Sequence, residues 1–237
     1  MADLNHTLHG NDLQLLTISL SPNQSIVSEP GAMVYMDSDI RMSTGMGAGG
    51  GLMKGMTRWL GGSELFLSEF TNSGGFKVAE VGFAACYPGM IVPIDLDACG
   101  GTYFCQKQAY LCSQPSVALS VAFTKKLRAG FFGGSGFVLQ KLTGRGKAFI
   151  HAGGTLHKRT LERGEKLRID AGCVVGFSHE VEYSVGFVGG IKNILFGGEG
   201  LFLAELIGPG EVLIQSLPFN KLVGHIVDAS GLARRQN

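Results

Sequence analysis

Three near-copies of one ten-residue motif constrain the fold of this chain more than any other feature. The copies begin at paired glycines and read GGSELFLSEF from Gly61, GGSGFVLQKL from Gly133 and GGEGLFLAEL from Gly197. Each copy runs into a turn that contains glycine. Internal repetition of this length indicates one supersecondary unit used three times.

A second block lies upstream of each glycine pair. EPGAMVYMDSDIRMST from Glu29 matches DAGCVVGFSHEVEYSV from Asp170, and QKQAYLCSQPSVALSV from Gln106 is a weaker middle copy. GMIVPIDLD and GEKLRIDAG also align as strands that lead into a repeat. We therefore predict a single domain of residues 1–230 with repeats at about 10–97, 98–163 and 164–228, followed by a frayed tail, 231–237.

Each repeat is predicted to be β-structure. Its apolar runs last roughly five to eight residues, are rich in Val, Ile, Phe and Leu, and end at Gly, Pro or Asn-Ser clusters. Helix is scarce, and LMKGMTRWL (52–60) is the best short candidate. The paired glycines are interpreted as structural corners where the chain enters a new strand. These corners are Gly61, Gly62, Gly133, Gly134, Gly197 and Gly198.

Composition narrows the functional classes. The formal net charge of +1 argues against DNA as a partner and makes RNA unfavourable. Charged residues make up only 16% of the chain, which favours apolar surface buried between subunits. The polar N-terminus predicts no secretory signal, and five cysteines, an odd number, favour reduced thiols in a cytoplasmic protein.

Several long motifs occur in the order typical of one family. EPGAMVYMDSDI, RWLGGSELFLSEF, PGMIVPIDLD, GFFGGSGFVLQKLTGRGKAFIHAGG and LFGGEGLFLAELIGPGEVLIQSLP resemble the altered-inheritance-of-mitochondria protein 24 family over residues 10–228. The resemblance implies a fold like the tryptophan RNA-binding attenuation protein, a short double-stranded β-helix or barrel, present here as three fused repeats. It also implies oligomerisation, and mitochondrial members are associated with inner-membrane organisation. The absence of a transit-like N-terminus favours a bacterial member of unknown function, and the resemblance supplies no catalytic residues.

The motifs of common catalytic and cofactor sites are missing. KLTGRGKA lacks the first glycine and the hydroxyl residue of a phosphate loop, and no G-x-S-x-G occurs. Cys99, Cys105 and Cys112 are too evenly spread for a zinc site. His151 and His157 flank a predicted hairpin turn, where we expect solvated imidazoles. We predict no catalytic residue, no cofactor and no metal site.

The segments that precede the glycine pairs combine cations with bulky apolar side chains, in LMKGMTRWL, FTKKLRAGFF and VGGIKNILF. Such a rim is typical of a peripheral membrane contact or a protein-docking face. The alternative is that the aromatic residues plug the barrel end or a subunit interface. The predicted interaction face consists of Lys54, Arg58, Trp59, Lys125, Lys126, Arg128, Phe131, Phe132, Lys192 and Phe196.

These observations favour a non-enzymatic, homo-oligomeric scaffold or binding module, with a trimer as the preferred assembly and a membrane surface or a protein as its partner. A small-ligand binder with a pocket between repeats or subunits is the first alternative. RNA binding by analogy of fold and an enzyme built on the histidine hairpin are the others. A fold does not by itself confer a function.

Overall fold

The computed structural model describes residues 4–44, 67–125, 137–188 and 201–230. Strands make up most of these residues, and they form four antiparallel sheets. The all-β prediction is confirmed. The single helix in these ranges that exceeds one turn is α1 (Phe219–Ser230), near the C-terminus.

After β1 (Asn5–His9), the strands fall into three units of six. The first unit contains β2 (Leu15–Leu20), β3 (Ser25–Ser28), β4 (Met33–Met36), β5 (Ile40–Thr44), β6 (Ser68–Asn72) and β7 (Ala79–Ala84). The second contains β8 (Gly89–Asp95), β9 (Thr102–Gln106), β10 (Tyr110–Ser113), β11 (Val117–Lys125), β12 (Phe137–Gly144) and β13 (Lys147–Gly153). The third contains β14 (Leu156–Leu161), β15 (Lys166–Asp170), β16 (Val174–Ser178), β17 (Glu182–Val188), β18 (Leu201–Ile207) and β19 (Gly210–Gln215).

Each unit has the same pattern of strand pairing. Its first strand pairs with its sixth and its second with its fifth. Its third strand also pairs with its sixth, and its fourth with its fifth. Phe70, Leu142 and Leu206, which align in the sequence repeats, occupy equivalent positions on the fifth strands, and all three are buried. Their partners on the second strands are Ile26, Tyr103 and Leu167, respectively.

Units delimited by pairing span residues 15–84, 89–153 and 156–215, which differ from the repeat boundaries predicted from the sequence. The sequence comparison aligned residues 89–97 with 164–172. In the structure β8 is the first strand of its unit, whereas β15 is the second strand of its unit. The sequences of β8 and β15 therefore resemble each other although the two strands have different places in their units. The assignment of residues 1–230 to one domain stays a prediction.

Neighbouring units are joined by their third strands. β10 pairs with β13 of its own unit on one side and with β3 of the first unit on the other, and β16 pairs in the same way with β19 and β9. The two central sheets are consequently six-stranded, and each draws three strands from one unit and three from the next. Because antiparallel pairing continues across each junction, the backbone groups of the outer strands are satisfied there.

The third strand has the same irregularity in every unit. A register shift lies between Met33 and Tyr35 in β4, and equivalent shifts occur in β10 and β16. At the end of each third strand, one side chain accepts a hydrogen bond from a backbone N–H of the sixth strand. These pairs are Asp37 with Glu80, Gln114 with Lys147, and Ser178 with Glu211, at 2.8, 2.8 and 3.0 Å. The repeated bulge and bond fix the register of each third strand.

The buried apolar side chains form three clusters. The first draws its side chains from the first and second sheets, the second from the second and third, and the third from the third and fourth. The connections between units are held by backbone hydrogen bonds, from Gly89 N to Asp12 O, Gly154 N to Pro88 O, and Leu217 N to Gly153 O. The last connection leads into α1, which is tied to the third unit by an ion pair from Lys221 Nζ to Asp170 at 2.7 Å. Each unit therefore rests on the one before it.

Candidate functional site

The predicted interaction face lies almost entirely outside the described residues. Of its ten residues only Lys125 is described, and only as backbone, at the end of β11 opposite Phe137. The nine that lie outside are Lys54, Arg58, Trp59, Lys126, Arg128, Phe131, Phe132, Lys192 and Phe196. The six glycine corners, Gly61, Gly62, Gly133, Gly134, Gly197 and Gly198, also lie outside.

These segments nevertheless have a common place in the order of strands. Residues 45–66, 126–136 and 189–200 each connect the fourth strand of a unit to its fifth. In every unit the hairpin ends at this connection in a matched pair: Thr44 with Ser68, Lys125 with Phe137, and Val188 with Leu201. The interaction face itself stays a prediction.

The open edge of β4 distinguishes the first unit from the other two. Val34 is 57% exposed, whereas its counterparts Leu111 and Val175 are 1% and 0% exposed. The next two residues of β4, Tyr35 and Met36, are also exposed. β10 and β16 are covered because the second strand of the preceding unit pairs with them. β4 belongs to the first of the three described units, and within the described ranges it pairs only with β7.

A matching open edge occurs on β15 at the other end of the chain. β15 is the second strand of the last unit, and its described pairing is to β18 alone. Lys166 and Arg168 are exposed along it, while Ile169 is buried. The equivalent strands β3 and β9 each receive the third strand of the following unit. The chain forms two junctions in which a third strand pairs with the second strand of the preceding unit. β4 is the third strand and β15 the second strand for which no such junction partner occurs among the described residues.

The two edges differ in their protection against pairing. β4 reads MVYM and carries no charge, although exposed edge strands commonly carry charges that block association. Asp37 and Asp39 follow it directly, whereas the exposed side chains of β15 are cationic. Carboxylates therefore lie beside the apolar strand β4, whereas β15 carries Lys166 and also Arg168, which forms an ion pair with Glu205 at 3.0 Å.

A cleft of about 390 Å³ lies at the junction of the second and third units. The second unit contributes Ala98, Cys99 and Tyr103, and the third contributes Ser178, Glu180, Pro209, Gly210 and Glu211. Tyr103 is buried, and its hydroxyl has no hydrogen-bond partner among the described residues. Burial raises the pKa of the Tyr103 phenol, and the negative charge of Glu211 raises it further.

The histidine hairpin predicted from the sequence is not formed. His151 lies on β13, whose described partners are β8 and β10, whereas His157 lies on β14, which pairs with β19. His151 is buried against the ring of Tyr87 at 4.6 Å, and burial lowers its pKa to about 4. The prediction of two solvated imidazoles was wrong for His151, because adjacent strands in the sequence belong to different sheets. His157 is exposed.

In the described part of the chain no three His, Cys, Asp or Glu side chains converge as metal ligands would. All five cysteines are free thiols. Burial raises the pKa values of Cys99, Cys105, Cys112 and Cys173, so these thiols are protonated and poor nucleophiles near neutral pH. None of the helices within the described ranges combines the length and the apolar character that crossing a bilayer requires.

The sequence reasoning missed both the open edges and the cleft. The residues give no signal for the open edge, because MVYM and its aligned counterparts in the other two units are all apolar and uncharged. Only the strand order shows that the counterparts are covered and MVYM is not. The signal for the cleft was Tyr103, which stands where the other units have Ile26 and Leu167.

Comparisons with known proteins agree with this architecture. The chain is 27% identical over 215 residues to an uncharacterized protein of Streptococcus pyogenes serotype M6, an alignment that covers 89% of this chain and 84% of that protein. A crystal structure of a protein from Streptococcus pyogenes, determined by a structural genomics consortium, superposes with a TM-score of 0.74 at 22% identity, and the alignment covers 95% of this chain and 99% of that one. Both relatives are bacterial. A family model described as mitochondrial biogenesis AIM24 matches residues 6–217, and the chain therefore belongs to the AIM24 family.

Proposed function

We propose that this protein is a non-catalytic scaffold whose copies assemble head to tail, with β4 of one copy added to β15 of the next. The observation that carries the proposal is the contrast between Val34, at 57% exposed, and its buried counterparts Leu111 and Val175. An exposed apolar edge strand is a template for pairing with another chain. The known junctions supply both the partner strand and its direction.

The register of the proposed contact follows from the two existing junctions. Gly176 pairs with Cys105 in one junction, and Cys112 pairs with Ser28 in the other. The residues at the same places are Tyr35 in β4 and Ile169 in β15. In the assembly Tyr35 therefore lies opposite Ile169 of the next copy, and Met36 lies opposite Arg168.

Joining the edges completes the two incomplete sheets. The sheet of β15, β18 and β17 would gain β4, β7 and β2, and so would match the strand order of the two central sheets. The basic side chains of β15 then lie near Asp37 and Asp39, which favours this orientation over like edges meeting. Because different surfaces meet, the contact is heterologous, and it generates a ring if the rotation per copy closes. A trimer remains the preferred number of copies.

Two edge variants test the proposal, each of which disables one edge. Val34→Lys with Met36→Lys places charges on β4, and Lys166→Glu with Arg168→Glu reverses the charge of β15. All four side chains are exposed in the single chain, so we expect each variant to fold. Val78→Lys is the matched control, because Val78 is 62% exposed but lies in the connection between β6 and β7.

Native mass spectrometry and light scattering would report the assembly. We expect the wild type and Val78→Lys to be oligomers and each edge variant alone to be a monomer. An equimolar mixture of the two edge variants retains one intact β4 and one intact β15, and should give a heterodimer and nothing larger. A monomeric wild type, or oligomers that survive in both edge variants, would refute the proposed contact.

A further inference from the structure

We propose that Lys221 on α1 binds the next copy of the chain, by donating hydrogen bonds from its ammonium group to the backbone carbonyls of Pro30 and Gly31. This contact rests on the proposed head-to-tail assembly, in which the head of a copy is its β4 edge and the tail is its β15 edge. It lies outside both edge strands and makes α1 part of the interface. The junction between the second and third units supplies the pattern.

A side-chain contact beyond the paired strands accompanies that junction. Gln106, the last residue of β9, is buried, and its amide nitrogen donates to Ala171 O at 2.7 Å and to Gly172 O at 3.4 Å. These carbonyls belong to the short 3-10 turn that leads into β16. The turn of one unit is therefore held by the end of the second strand of the preceding unit.

At the tail the residue equivalent to Gln106 is Asp170, which likewise ends its strand. An ionised carboxylate only accepts hydrogen bonds, so Asp170 cannot replace the amide of Gln106 as a donor. Its Oδ1 accepts from Gly172 N at 2.9 Å, and its Oδ2 lies 2.7 Å from Lys221 Nζ. The ion pair therefore places an N–H donor at the end of β15, and half of the Lys221 side chain is exposed there.

At the head the equivalent turn is open. In the alignment of EPGAMV with DAGCVV, Pro30 and Gly31 correspond to Ala171 and Gly172. The pair in the third unit is buried, whereas Pro30 and Gly31 are exposed in the single chain. The turn thus shows the same contrast as the strand that follows it. Carbonyls that become buried on assembly require hydrogen-bond donors.

The proposed register brings the two ends together. When Tyr35 lies opposite Ile169 of the other copy, the open turn at the head reaches the end of β15 at the tail. Without an ammonium group its carbonyl oxygens would face the carboxylate of Asp170, and no donor would satisfy them. An ammonium group has three N–H donors, so Lys221 can keep its ion pair and also donate to the turn. Asp170 and Lys221 together therefore take the part that one glutamine has inside the chain.

The two edge variants allow a test with one tail and one head. The β4 variant, Val34→Lys with Met36→Lys, has an intact tail, and the β15 variant has an intact head. Adding Lys221→Met to the β4 variant removes the donor from the tail that is used. We expect the dissociation constant of the heterodimer, measured by sedimentation, to rise about 5- to 30-fold, as for the loss of a charge-assisted hydrogen bond. Lys221→Met added to the β15 variant is the matched control and should have no effect, because the tail of that partner is not used.

A second variant separates the lost donor from damage to the helix. Asp170→Gln together with Lys221→Met in the β4 variant copies Gln106, so it should recover most of the lost affinity although Lys221 is absent. Thermal unfolding would verify that each variant folds. A heterodimer whose affinity is unchanged by Lys221→Met would overturn this contact and leave the edge pairing intact. Tighter binding would overturn it as well, since α1 would then obstruct the tail. If the two edge variants form no heterodimer, the assembly is refuted and this contact with it.

Discussion

Replacing Glu29 by glutamine should stabilise the protein at alkaline pH and leave it unchanged in acid. Glu29 follows β3 where the second unit joins the first, and burial raises its pKa to about 7 although Lys107 opposes the shift. Its counterpart at the next junction is Gln106, whose amide donates to the carbonyls of Ala171 and Gly172 at 2.7 and 3.4 Å. One junction therefore uses a neutral amide where the other has a carboxyl group.

The magnitude follows from proton linkage. The folded pKa of about 7 lies above the ordinary value of 4.5, so the folded state retains a proton that the unfolded state releases between these pH values. The contribution of the protonated Glu29 to the free energy of unfolding is therefore fully present below about pH 4.5, and it is lost as the pH rises through about 7. The difference between the folded and the ordinary pKa of Glu29 corresponds to about 3 kcal/mol of unfolding free energy at most. The partial exposure of Glu29 reduces this to roughly 2 kcal/mol. Glu29→Gln should recover this amount at pH 8.

Urea unfolding at intervals from pH 4 to pH 8 would measure the effect. Glu162→Gln, at an exposed position, is the control for the loss of one carboxylate. We expect the free energies of unfolding of Glu29→Gln and the wild type to agree at pH 4 and to diverge above pH 5. A Glu29→Gln variant that is less stable than the wild type at pH 8, or one whose advantage does not change with pH, would refute this reasoning.

Three further changes have defined outcomes. His151 has a folded pKa of about 4, below the ordinary 6.5, so its contribution to stability is present above pH 6.5 and is lost as the pH falls through 4; His151→Gln, which copies Gln215 of the third unit, should reduce this acid sensitivity in the same urea series. Gly153→Ala should lower the melting temperature strongly, because the added Cβ would lie 2.1 Å from the backbone oxygen of Leu217, whereas Gly75→Ala, with nothing within 4 Å, should leave it nearly unchanged. Leu142→Ala should cost about 2–5 kcal/mol in urea unfolding, since Leu142 on β12 is fully buried.

The sequence predicted those features that depend on local pattern. Short apolar runs bounded by glycine indicated an all-β chain, and the column of Phe70, Leu142 and Leu206 indicated equivalent strands, because buried positions of paired strands must stay apolar. The helix α1 was not predicted, although Phe219, Leu222, Val223, Ile226 and Val227 have helical spacing. Gly224 within the segment lowers its helix propensity, so the pattern alone was a weak indication of helix.

Features that depend on strand order could not be predicted. Whether β4 is covered is decided by the unit that precedes it, and no property of the residues 33–36 reports this. The burial of His151 likewise depends on Tyr87, which approaches from the connection between the first two units. Both are consequences of contacts between segments that are distant in the sequence.

The pairing of each third strand with the preceding unit has a consequence for how the length of such a protein can change. β3 and β9 present the same kind of edge, and β10 and β16 approach these edges in the same register. If residues 89–153 were deleted, β16 would pair with β3 and its bulge would lie in the equivalent register. The shortened chain would retain one complete junction and the same two open edges, those of β4 and β15. Insertion of a further unit would lengthen the series by the same logic. A gene that encodes this architecture can therefore gain or lose whole units by recombination without a new interface having to arise.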